Sequence, residues 1–132
     1  MDLNRMINKV KGMPAYQQVG MIASHLGVVR GSSLDGKAVR GMEVSFDQNI
    51  IDKITKETKN IDGIINVLVE VNEGILSVGD EVMAVVVGGD TREHVFPALI
   101  AAVDRLKTEA TKKKEIFSPE APNGAGGADT GG

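Results

Sequence analysis

Hydrophobic positions along this chain recur at two spacings, one near 3.6 residues and one near 2, and the changes of period outline its elements. In Asp2 to Gly12, DLNRMINKVKG, the residues Leu3, Met6, Ile7 and Val10 fall at helical spacing, with Asp2 suited to cap the start and Gly12 the end. Met13 and Pro14 break that pattern, and Val19 to Arg30 follows as a β-rich run. Gly31 to Lys37, GSSLDGK, is a loop by composition. It leads into Ala38 to Phe46, where Val39, Met42, Val44 and Phe46 mark a mostly alternating strand. Asp47 can cap a helix running to about Lys59, with Ile50, Ile51 and Ile54 on its inner side, and Asn60 to Gly63 reads as the turn after it. The strongest strand signals are Ile64 to Val71 and Glu81 to Val87, rich in β-branched residues and bounded by Gly. Asn72 to Asp80 between them is short enough to favour an antiparallel pair.

A long helix is predicted from about Thr91 to Ala110, with Pro97 inside its first two turns, where a kink or a late start is expected. At about 100° per residue, Phe96, Ile100 and Val103 lie within about 40° of Lys107, with Leu99, Leu106 and Ala110 on the same flank. Arg92 falls on that stripe too. The pattern thus predicts two cations aimed toward the packed side, either snorkelling past its edge or delivered to a pocket. Lys112 to Phe117 reads as a closing strand or an extended tail. From Ser118 the sequence is SPEAPNGAGGADTGG, where no apolar periodicity survives. Residues 118–132 are therefore expected to be disordered, leaving 1–117 as one domain. The mixture of helices and strands, without strict alternation and without a repeat, predicts an α+β fold with a mainly antiparallel sheet packed with helices.

Composition narrows the chemistry. The chain has 132 residues and no cysteine, which removes disulfides, thiolate nucleophiles and cysteine metal sites together. Any sulfur chemistry must draw its sulfur from a partner or substrate. A net charge of −3 and an aromatic content of 3% give no global attraction to nucleic acid and no base-stacking platform. The apolar runs, such as Val82 to Val87, are too short to span a membrane, so a cytoplasmic location is expected.

The basic residues sit at element ends. Arg30 closes a strand, Arg92 opens the long helix beside Asp90 and Thr91, and Lys107 with Lys112, Lys113 and Lys114 closes it. A helix N-terminus attracts anions through free N–H groups and its dipole, so Thr91 and Arg92 are candidates for a phosphate or carboxylate site. The terminal lysines suit the other end of the same dipole for stability alone. Gly88-Gly89 lacks the rest of a phosphate-loop pattern, no H-E-x-x-H or G-x-S-x-G occurs, and His25 and His94 are too few for a zinc site. A lone His such as His25 reads more readily as a packed or surface residue than as a ligand.

Three segments stand out together: Gly27-Val28-Val29-Arg30 before a Gly-containing loop, Gly74 to Glu81 (GILSVGDE), and the helix carrying Arg92, Phe96 and Leu106-Lys107-Thr108, with Lys114 seven residues after that first lysine. In this order and spacing they resemble the large, catalytic subunit of molybdopterin synthase. The resemblance covers roughly residues 18 to 117. It implies the family's α/β hammerhead type of fold and a sulfurtransferase. Such an enzyme moves sulfur from a thiocarboxylate on the C-terminal Gly-Gly of a small ubiquitin-like subunit to cyclic pyranopterin monophosphate, forming the dithiolene of molybdopterin. It further implies a homodimer within a heterotetramer, Lys107 and Lys114 as catalytic lysines, and Arg30 and Arg92, with Thr91 beside it, as substrate-binding residues. Neither cofactor nor metal is implied. Thr91 stands where the family usually has His, and Ser45 and Asp47 stand where it tends to carry Glu and an aromatic. Lys112-Lys113 replace an aromatic-rich approach, and the family's C-terminal basic segment has no counterpart before Gly131-Gly132. Two other readings stay open: a diverged member acting as a binding or assembly module, and a generic anion-binding protein.

Overall fold

The structure is a computed structural model and describes residues 1–119; the tail expected to be disordered lies outside the described residues from 120 onward. The chain runs α1 (Leu3–Lys11), a short 3₁₀ turn (Tyr16–Gln18), β1 (Met21–Val28), β2 (Val39–Phe46), α2 (Gln48–Lys59), β3 (Ile64–Val71), β4 (Gly74–Ser77), β5 (Glu81–Gly89), α3 (Arg92–Arg105), a π-helical turn (Leu106–Ala110) and β6 (Thr111–Phe117). Two antiparallel three-stranded sheets result, ordered β1-β5-β3 and β4-β2-β6. The α+β class expected from the pattern is the one observed.

The first sheet is covered on both faces, which is why β5 reads as an unbroken apolar run rather than an alternating one. Met83, Val85 and Val87 face α2 and α3, packing with Ile51, Ile54, Val95 and Leu106. Ala84 and Val86 face the other way and are covered by Met6 and Val10 of α1. α1 can sit this close because Gly88 has no side chain: a Cβ there would come within 2.6 Å of Val10 Cγ1. The second sheet is covered on one side, where Val44 and Leu76 meet Val29 and the partly buried Met42, Phe46 and Val82.

Caps account for the helix starts. Asp2 accepts from Arg5 N–H, and Asp47 accepts from the N–H groups of Asn49 and Ile50, as expected for capping aspartates. Two expectations need correction. The segment between β3 and β5 is more than a link, because Gly74–Ser77 forms β4 and pairs with β2 in the second sheet. Its shortness, between polar and Gly residues, hides a strand whose partner is remote along the chain. The buried face of α3 is also not centred on the Phe96/Ile100 stripe. Those two are 50% and 62% exposed, while Val95, Ala98, Leu99, Ala102, Val103 and Leu106 are buried, centring the packed face about 110° away from Lys107. Small Ala98 and Ala102 bring the helix close to the sheet, and a reading weighted toward bulky residues passed over them. Despite Pro97, α3 begins at Arg92.

At the start of α3 the Asp90 carboxylate accepts from Thr91 N–H at 2.6 Å and lies 2.7 Å from His94 Nδ1. His94 Nε2 lies 4.0 Å from Asp62, in the turn where Gly63 takes φ +83. Hydrogen bonding to Asp90 is the largest cause raising the His94 pKa above its ordinary 6.5, and the same bond is the main cause holding Asp90 below 3.8. A raised His contributes stability below its unfolded value and loses it as pH rises through the folded one. A depressed Asp contributes above its unfolded value and loses it as pH falls. The melting midpoint of His94→Gln should therefore fall furthest below wild type between the two ordinary values, and converge with it at higher and lower pH. A pH-independent gap in a series of thermal melts would show that the pair does not act this way.

Candidate functional site

The site is built at the far end of α3. Leu106, fully buried, and Ala110, 3% exposed, anchor the π-helical turn to the core. Thr111 Oγ1 donates to Leu106 O at 2.7 Å, and Asp47 N–H donates to Ala110 O at 2.9 Å. Arg105 bonds Glu109 at 2.9 Å and Glu57 of α2 at 2.8 Å, and these carboxylates, Glu109 foremost, raise the guanidinium pKa further. Single π turns inside helices are frequent at functional sites. Here the turn is pinned on both sides while Lys107, between the pinned residues, stays exposed.

Lys107 borders a cleft of about 120 Å³ between the two sheets. β1 contributes His25, β2 contributes Val44 and Phe46, β5 contributes Met83, and β6 contributes Lys113. The walls are thus mainly apolar, with two ammonium groups and one imidazole as the polar groups most able to act on a ligand. His25 reaches the cleft because it lies in phase with Met21 and Ala23, which pack against the core under α3. Its Nε2 is buried without a hydrogen-bond partner among the described residues. Burial first, and the charge of Lys107 second, push its pKa below 6.5, so the ring is neutral at pH 7.

Of the residues nominated from sequence, Lys107 is the one that lines this cleft. Lys114 pairs with Glu43 on the neighbouring strand and lines a separate surface groove with Glu73 and Ile75. Alternation along β6 brings Lys113 to the cleft instead. Arg30 follows the cleft residue Val28 by two positions, and its Nε donates to Ser32 O at 3.0 Å. Thr91 and Arg92 border a groove with Phe96 at the opposite end of α3, about 22 Å along the helix from Lys107 at 1.5 Å per residue. There the helix start already meets the chain's own carboxylates: Asp90 bonds Thr91 N–H, and Glu93 lies 3.5 Å from Arg92. His25 was not nominated, although its inward phase on β1, two residues before Gly27, was a readable signal. Lys113 was noted only as part of a charge run.

Among the described residues, no group of three or more His, Cys, Asp or Glu is placed to hold a metal ion, and no helix is long and apolar enough to cross a membrane.

Comparison with known proteins gives this geometry a context. The fold is similar to the molybdopterin biosynthesis MoaE protein from Burkholderia ambifaria MC40-6, with a TM-score of 0.71 and 26% identity over 94% of this chain and 80% of that one. Molybdopterin synthase from Staphylococcus aureus shares the fold at a TM-score of 0.68, with 20% identity and 77% of each chain covered. So does the complex of subunits 1 and 2 of molybdopterin-converting factor from Helicobacter pylori 26695, at a TM-score of 0.65 and 15% identity, covering 91% of this chain and 86% of that one. An uncharacterised protein of Methanocaldococcus jannaschii is 29% identical over 109 residues, covering 80% of this chain and 87% of its own length. The model of the family described as MoaE protein matches residues 1–109, a span that takes in both sheets up to β5, all of α3 and the turn that carries Lys107. On that match, the chain belongs to the MoaE protein family.

Proposed function

We propose that this chain serves molybdopterin biosynthesis as the large subunit of a molybdopterin synthase. In this reading it transfers sulfur from a thiocarboxylated, small ubiquitin-like subunit to cyclic pyranopterin monophosphate in the cytoplasm. The observation that carries the reading is Lys107, held by a pinned turn at the mouth of a mainly apolar cleft, in a chain with no thiol of its own. A narrow apolar cleft suits an extended glycine tail, and the cations at its mouth suit a terminal thiocarboxylate. Lys107 is the proposed catalytic lysine, acting as acid/base or attacking a carbonyl. Lys113 supplies a second cation in the cleft, and Lys114 lies one strand position beyond it. Arg30 lies near enough in sequence to the cleft wall to serve substrate binding. Arg92, with Thr91, is too far along α3 to reach the cleft of its own chain, so a role on the substrate phosphate requires a second copy, as in a homodimer within a heterotetramer.

The test is an in vitro assay with thiocarboxylated small subunit and the cyclic precursor. Molybdopterin is the expected product, and none from a folded protein would overturn the reading. The carboxylates already present around Thr91 and Arg92 favour a second reading, a diverged binding or assembly module. Normal cofactor synthesis in cells lacking any other copy of the large subunit would sink that one.

A further inference from the structure

We propose that His25 is a catalytic base in the cleft, accepting the proton of the water that frees the transferred sulfur from the small subunit; this rests on the sulfur-transfer reading above. The need for such a step follows from the donor. Once the sulfur of a thiocarboxylate has bonded to a substrate carbon, it is still joined to the carbonyl carbon of the tail as a thioester. Release breaks that acyl C–S bond and forms a bond from water oxygen to the carbonyl carbon. The products are the tail carboxylate, a thiolate on the substrate and two protons. No electrons are exchanged. One proton leaves as water attacks and needs an acceptor; the other goes to solvent.

Three basic side chains face the space where this would happen. Lys107 comes from the turn after α3, Lys113 from β6 and His25 from β1, while β2 and β5 present apolar residues such as Val44, Phe46 and Met83, and among the described residues no carboxylate lines the cleft. The lysines bring positive charge suited to the carbonyl oxygen and the departing thiolate. His25 brings a lone pair. Its Nε2 is buried, has no hydrogen-bond partner among the described residues and lies 3.4 Å from where a Cβ on Gly27 would stand. Such an orphaned buried nitrogen is costly unless something uses it. Burial and the Lys107 charge keep the ring neutral at pH 7, the state a base requires, and in the Nδ1–H tautomer Nε2 is the acceptor. The cleft, at about 120 Å³, is large enough to admit water.

The experiment is a single-turnover reaction of the whole protein with thiocarboxylated small subunit and cyclic precursor, comparing wild type with His25→Gln. In His25→Gln, the thioester adduct between small subunit and pterin should accumulate, seen by mass spectrometry, with release slowed about 10²-fold. Wild-type release should fall as pH drops through a value below 6.5, and the variant should lack that break. NMR titration of His25 in the wild-type protein must report the same value as the kinetic break, which keeps the test decisive should the variant misfold; a mismatch overturns the proposal. Release by His25→Gln at the wild-type rate and pH profile overturns the role of His25 and leaves sulfur transfer standing. No product from wild type overturns both.

Discussion

Lys107→Ala is expected to lower molybdopterin formation by about 10²- to 10⁴-fold, the usual worth of a positioned proton-transfer group. Its melting midpoint should stay close to wild type. Lys107 is exposed, and the turn is held by Leu106, Ala110, Thr111 and Arg105 rather than by the lysine, so truncation should cost no more than about 0.5 kcal/mol of stability. The neighbouring lysines sharpen the test. Lys113 lines both the cleft with Lys107 and the outer groove, whereas Lys114 lines that groove, beside Glu43 and Glu73, and not the cleft. Lys113→Ala should therefore lower activity more than Lys114→Ala in the same assay. The reverse order, with Lys114→Ala as damaging as Lys107→Ala, would place the reaction on the outer groove and remove the cleft from the mechanism.

Leu106→Ala should produce the largest loss of stability. Leu106 is fully buried in the main core where α3 passes into the π-helical turn, and truncating such a leucine costs about 2 to 5 kcal/mol. Against a total of about 5 to 15 kcal/mol for a domain, that is a severe change. Ile100→Ala is the matched control, since Ile100 is 62% exposed and its loss should stay within about 0.5 kcal/mol. Denaturant midpoints at constant slope would measure both. Equal costs would mean that the Phe96/Ile100 face is covered in solution. Some activity should be lost as well, because Leu106 sets the position of the residue that follows it.

Local signals were enough for elements whose cause is local. Asp2 and Asp47 cap the helices the pattern assigned to them, and β3 and β5 pair antiparallel as their short connection implied. Features set by remote partners were not legible. β4 is four residues of weak strand character that exist because β2 offers an edge, and the true face of α3 depends on how closely two alanines let it approach the sheet. The candidate site was half visible. Lys107 stood out because a cation beside apolar positions demands explanation. His25 did not, because its significance lies in a buried ring nitrogen and in a lysine more than eighty residues away along the chain.

The passage from the π-helical turn into β6 also limits how this protein can change length. Which lysine faces inward is decided by parity: β6 starts at Thr111, and every second residue from there points to the cleft side. Removing one residue between the anchored turn and the strand would shift the parity of everything after it, turning Lys113 outward and Lys112 and Lys114 inward. An insertion of one would do the same, while a change of two would restore the phase. A substitution changes one side chain at a time, whereas a single-residue insertion or deletion would exchange the cleft's cations in one step.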